Sequence, residues 1–278
     1  MGKRLSPSAI EHYERDGYYC PVRVLSPEEA RQYRERLERV ERDLGGPLWG
    51  IYRIKPHLLF AWLADLVRHP VILDAVEDVI GPDILCWNTS FFTKEARSPG
   101  FVSWHQDATY WGLSEPDVVT AWVAFTESTS RNGNMRVVPG SHRTPVPHVD
   151  TFDPDNLLTR GQEVAVEVDE SQAADILLQA GEMSLHHVLI VHGSGARCLV
   201  PDPHPGGRRG SRHRHHHGED HAPAYRRLGA LRHPGGCALL MRRGRRRVQS
   251  RPARIPPARP PLTTTASHRA GTFVRGQG

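Results

Sequence analysis

Up to Gly81-Pro82 the apolar residues of this chain recur every three or four positions; from Ile84 onward they alternate or run in short blocks. Helical spacing first, then many short strands with no helices between them, predicts an antiparallel β barrel or sandwich decorated by N-terminal helices. Ser26-Pro27-Glu28-Glu29 opens the longest helix, with Ser26 as N-cap, Pro27 at the first helical position and Glu29 completing a capping box. Ala30, Tyr33, Leu37, Val40 and Leu44 form its apolar stripe, and Gly45-Gly46 ends it. Shorter helices are predicted over 8–15, 58–67 and 71–80. Strands are predicted over 84–93, 118–125, 135–138, 163–168 and 183–191. In the second of these Thr120, Trp122 and Ala124 share one face, and Val119, Ala121, Val123 and Phe125 the other.

The net charge of +5 hides two opposite halves. Residues 198–278 carry seventeen Arg, no Lys and three acids, a balance of +14, which leaves −9 for residues 1–197. The folded part therefore has no basic footprint of its own for nucleic acid; the tail is the only hint of one. The four cysteines lie far apart with no paired spacing, which points to a reduced, cytoplasmic protein without disulfides. No apolar run approaches the roughly 20 residues that span a bilayer, so no membrane partner is expected.

The chemistry concentrates in Ser103-Trp104-His105-Gln106-Asp107-Ala108-Thr109-Tyr110-Trp111. In an extended segment His105 and Asp107 point to the same face. Two histidines and one carboxylate on one face hold a divalent first-row metal and leave positions open for other ligands. A third ligand is expected from a distant histidine, and His192, before Gly193-Ser194-Gly195, is the candidate. His186 shares its face by period-two phase, and His187 lies opposite. Phe92, Phe101, Tyr110 and Trp111 could line a substrate pocket or belong to the core. Arg136 and Arg143 could bind an anionic group or stay as surface charges.

Taken in order, Trp104-His105-Gln106-Asp107, Ala121-Trp122, Asn132 to His142 with its Pro139-Gly140-Ser141-His142 turn, and His192-Gly193-Ser194-Gly195 resemble the phytanoyl-CoA dioxygenase family of Fe(II)- and 2-oxoglutarate-dependent oxygenases. The likeness covers about residues 5–197. It implies a mainly β protein with N-terminal helices and a double-stranded β-helix (jelly-roll) core. It also implies His105, Asp107 and His192 as the iron triad, and Trp122 and Ser194 beside 2-oxoglutarate. The implied reaction hydroxylates a small organic substrate with O2, releasing succinate and CO2. Asp107 argues for hydroxylation over halogenation, because related halogenases have a small residue at that position.

The resemblance breaks after Arg197. The family has an arginine about eleven residues past the distal histidine, on the last core strand, gripping the far carboxylate of 2-oxoglutarate. Pro203 stands there in this chain, and proline opposes a central strand. The expected organisation is thus a dioxygenase domain over 1–197, helical over 5–81 and β-helical over 84–197, lacking its last strand. The Arg/His/Pro-rich tail over 198–278 is expected to be disordered. A reading-frame shift near Arg197, a nucleic-acid-binding tail and adventitious metal binding by the histidine run are the competing readings of that tail. With neither strand nor arginine, weak iron binding and impaired turnover are expected. The rivals to an oxygenase are a catalytically inactive binding module and a nucleic-acid binder acting through the tail.

Overall fold

The computed structural model describes residues 2–94, 98–112, 115–195 and 233–243. Four helices come first, α1 (Pro7–Asp16), α2 (Pro27–Asp43), α3 (Ala61–Val67) and α4 (Pro70–Ile80), with strand β1 (Tyr18–Arg23) between the first two. The strands of the body follow: β2 (Ile84–Lys94), β3 (Val102–His105), β4 (Val118–Ala124), β5 (Met135–Val137), β6 (His148–Asp150), β7 (Gln162–Val164), β8 (Ala174–Asp175), β9 (Glu182–His187), β10 (His192–Ser194) and β11 (His233–Arg243).

Local chemistry explains the helices. The Ser26 hydroxyl accepts the Glu29 N–H while the Glu29 carboxylate accepts the Ser26 N–H, so the capping box forms as read. Ser6 caps α1, and Gly17 ends it in the left-handed conformation, φ 80°. The helix expected over 58–67 is instead a 3-10 turn at Pro56–Leu58 followed by α3, since Phe60 is extended and separates the two.

Two antiparallel sheets form the body, in the orders β1-β9-β4-β11-β2 and β3-β10-β5-β8, and β6 pairs with β7 as a ribbon. This is the expected jelly-roll core. The alternation read in β4 decides where the core lies. Val119, Ala121, Val123 and Phe125 pack with Leu37, Leu63, Leu66, Ile72 and Val76 beneath the helices, while Thr120 and Trp122 turn to the space between the sheets.

Three expectations are corrected. The single strand over 183–191 is two: β9 ends at His187, residues 188–191 cross between the sheets, and β10 starts at His192. Period-two reading cannot see this, because Val188, Leu189, Ile190 and Val191 are all buried and look like more strand. The strand over 163–168 is only Gln162–Val164. Finally, the core does not lack its last strand, and the tail is not without structure throughout. β11 lies between β2 and β4, with Ala238 in register with both Ser90 and Trp122. Leu239 and Met241 are fully buried in the helix-side core. Cys237-Ala238-Leu239-Leu240-Met241 is the one sustained apolar run of the tail, and it ladders with β2 on one side and with the edge of β4 away from β9 on the other. The remainder of the tail lies outside the described residues.

Candidate metal centre and cavity

His105 is the last residue of β3, and His192 is the first of β10. The two are paired directly across the antiparallel ladder. Their ring centroids are 4.2 Å apart. Asp107 follows in a 3-10 turn, with Oδ1 3.5 Å from His105 Nε2. One ligand atom from each of His105, Asp107 and His192 lies within 4.8 Å of the others.

Both imidazoles are held in the tautomer a metal needs. His105 Nδ1 donates to the Ser103 carbonyl at 2.9 Å and His192 Nδ1 to the Ile190 carbonyl at 3.0 Å, leaving the Nε2 lone pairs free. Burial, helped by the neighbouring His105, pushes His192 down to about 4, so its ring is neutral at physiological pH. Burial alone would raise the Asp107 carboxyl. The neighbouring rings of His105, His192 and His186 outweigh it and hold the group below its usual value, hence ionised. Two imidazole nitrogens and one carboxylate, converging at the wall of a cavity, fit a divalent iron ion.

Gln106 fixes the segment that carries these ligands. It is fully buried; its amide donates to the Leu189 and Thr144 carbonyls at 2.6 and 3.0 Å, and its oxygen accepts the Val146 N–H at 2.9 Å.

The cavity, of about 240 Å³, lies between the sheets and includes all three of these residues together with Trp122 and Ser194. His186 also faces it, with its ring 5.3 Å from that of His192, but it does not join the ligand cluster. Burial drives His186 down to about 3, and its Nδ1, like the Thr120 hydroxyl beside it, is buried without a hydrogen-bond partner. His187 points away, toward His142.

Of the aromatic candidates, Phe92, Tyr110 and Trp111 line the cavity. Phe101 is not among its lining residues; its backbone bridges to Asn156. The two arginines are used elsewhere: Arg136 binds Glu170 at 2.8 Å over the face of Trp104, and Arg143 donates to the Arg15 carbonyl. The Pro139-to-His142 turn is architectural. Gly140 N–H, His142 Nε2 and Arg143 bind the carbonyls of Asp16, Glu14 and Arg15, which closes the C-terminal end of α1.

Lys94 was not singled out from sequence. It ends β2, and its ammonium donates to Ser194 Oγ at 2.7 Å and to the Gly133 and Gly195 carbonyls at 3.1 and 2.5 Å. Burial lowers its pKa to about 8. The signal available was period two: Asn88, Ser90, Phe92 and Lys94 all face the cavity. β11 has no arginine between His233 and Met241.

The family model described as Phytanoyl-CoA dioxygenase (PhyH) matches residues 13–197. An ectoine dioxygenase of Nocardia farcinica is 29% identical over 222 residues, 70% of this chain and 73% of the relative. A probable alpha-ketoglutarate-dependent hypophosphite dioxygenase of Stutzerimonas stutzeri is 30% identical over 144 residues, 50% of this chain and 49% of the relative. Among solved structures, the non-heme monooxygenase ThoJ without ligand superposes with a TM-score of 0.65 at 31% identity, covering 84% of this chain and 77% of ThoJ.

Proposed function

Because the chain belongs to the phytanoyl-CoA dioxygenase family, whose members among its relatives are Fe(II)- and 2-oxoglutarate-dependent oxygenases, we propose that His105, Asp107 and His192 hold its Fe(II) and that the adjoining cavity admits 2-oxoglutarate and a small organic substrate. The observation that carries this reading is the convergence of one ring nitrogen from each of His105 and His192 and one carboxylate oxygen of Asp107 within 4.8 Å at the cavity wall. Bound there, the metal supplies the coupling of 2-oxoglutarate decarboxylation by O2 to hydroxylation of a C–H bond.

The protein's own part is binding, orientation and exclusion of water. Lys94 and Ser194 receive the far carboxylate of 2-oxoglutarate, with Trp122 alongside. Lys94 supplies the positive charge that the family takes from an arginine. A lysine gives a point charge where the guanidinium gives a two-pronged fork, so it anchors the carboxylate with less directional control. Phe92, Tyr110 and Trp111 provide an apolar wall, and the unpartnered His186 and Thr120 atoms offer hydrogen bonds. That combination suits a small molecule with a polar group beside an apolar flank, and the relatives named for ectoine and hypophosphite act on small molecules. Among the described residues no helix is long and apolar enough to cross a membrane. Cys20 and Cys86 are free thiols, in keeping with action in the cytoplasm.

The test is iron-dependent decarboxylation of 2-oxoglutarate by the 278-residue chain, followed as succinate. Turnover that is lost in Asp107→Ala and His105→Ala supports the reading. Succinate formation that persists in both variants would sink it, and so would its absence from the unaltered chain.

A further inference from the structure

Three histidines of this fold share one device: each Nδ1 lies beside the carbonyl two residues earlier in the chain. The pairs are His105 with Ser103 at 2.9 Å, His192 with Ile190 at 3.0 Å and His148 with Val146 at 2.8 Å. A carbonyl only accepts, so in each case Nδ1 carries the proton and Nε2 presents a lone pair. In His105 and His192 that lone pair faces the candidate metal position. In His148 it accepts the backbone N–H of Gln106, the residue between the two ligands of the His-x-Asp segment, at 2.9 Å.

His148 holds the same segment at further points. Its Nδ1 lies 3.1 Å from Thr109 Oγ1, and its ring and that of Tyr110 meet nearly at right angles with centroids 5.8 Å apart. The segment leading into its strand answers in kind, because Val146 N–H donates to Gln106 Oε1 at 2.9 Å. β3 ends at His105, so the Gln106 peptide lies just past the strand, and a buried donor left unpaired costs free energy comparable to a lost hydrogen bond.

We infer that His148 is a positioning residue: as the neutral Nδ1–H tautomer it fixes the Gln106 peptide through Nε2 and thereby sets Asp107 against His105 and His192. The role in metal binding rests on the proposed ligand set; the tautomer does not. Groups that orient metal ligands from behind typically alter affinity by about 10–100-fold when removed.

The experiment has two arms on the full chain. Long-range proton–nitrogen NMR of metal-free protein, with the His148 signals identified by their loss in His148→Gln, reads the tautomer; the expected result is Nδ1–H. Titration with Co(II), followed by its visible absorption, compares the unaltered protein with His148→Leu and His148→Gln. We expect His148→Leu to weaken cobalt binding about 10–100-fold with an altered band, and His148→Gln, whose Oε1 can accept the same N–H, to restore most of the affinity. An Nε2–H tautomer overturns the inference. Cobalt binding by a folded His148→Leu with the affinity and spectrum of the unaltered protein overturns it equally. If His148→Leu does not fold, the tautomer and the His148→Gln titration decide. Failure of the unaltered protein to bind cobalt would instead remove the ligand set itself, and this inference with it.

Discussion

His105 and His192 are direct cross-strand partners, and that pairing brings two residues 87 positions apart in sequence to a ring separation of 4.2 Å. An antiparallel ladder holds opposed residues about 4.5–5.5 Å apart at Cα, so the register of β3 on β10 sets the spacing of two of the three proposed ligands. A one-residue slip would turn one imidazole to the other face.

Metal should therefore stabilise the protein only when all three ligands are present. Adding Co(II) or Ni(II) in excess is expected to raise the melting temperature of the unaltered chain, and chelation to reverse it. At a metal concentration of about 100 times Kd the gain is about 2.7 kcal/mol. The same addition to Asp107→Ala or His192→Ala should give little or no rise.

Lys94→Ala should weaken 2-oxoglutarate binding by about 10–100-fold, the worth of a hydrogen bond to a charged group. Isothermal titration on metal-loaded protein reads this directly. Lys94→Arg should recover part of the loss, because a guanidinium keeps the charge but must fit the hole bounded by Gly133, Ser194 and Gly195.

That anchor also predicts a pH dependence. Burial lowers the Lys94 ammonium to about 8, so in the free protein it loses its proton as pH rises through that value. A dianionic co-substrate binds the protonated form. Affinity should be full below about pH 8 and fall above it, while Lys94→Arg should bind with a flat profile over the same range. An unchanged fall in the arginine variant would show that another group titrates.

β11 should matter to stability as much as any central strand. Leu239 is fully buried, and its replacement by Ala is expected to cost about 2–5 kcal/mol in urea unfolding. Truncation after residue 197 removes the strand that pairs with both β2 and β4, and should give a protein that unfolds at lower urea and aggregates more readily. Equal midpoints for the truncated and full chains would mean that β11 contributes nothing in solution.

Gly17 is constrained twice. Its φ is 80°, and a Cβ there would stand 2.4 Å from the His142 ring. Gly17→Ala should lower stability by about 1–3 kcal/mol from the backbone alone, with more from displacement of His142. Urea unfolding of the variant against the unaltered chain measures it.

Much of this molecule was already written in its sequence. The capping box at Ser26, the two-faced alternation of β4, and the His105 and Asp107 phase are local properties, set by dihedral preferences and side-chain period over a few residues. The position of His192 before a glycine turn offered it as a third ligand, the likeness to a known family favoured it over His186 and added Trp122 and Ser194 as expected neighbours, and all five residues do line one cavity. What sequence could not decide was anything that depends on which strand lies beside which. The apolar run from Met183 to Val191 has a single hydrophobic signature, yet it turns between two sheets at residues 188–191 because the ladders of β9 and β10 have different partners. β11 is hidden in a composition that predicts disorder; only the open position between β2 and β4 supplies hydrogen-bond partners on both its edges. Lys94 reads as an ordinary strand-end charge until the Ser194 strand is brought across the cavity to meet it. Local order is fixed by neighbours in sequence, and the site by neighbours in space.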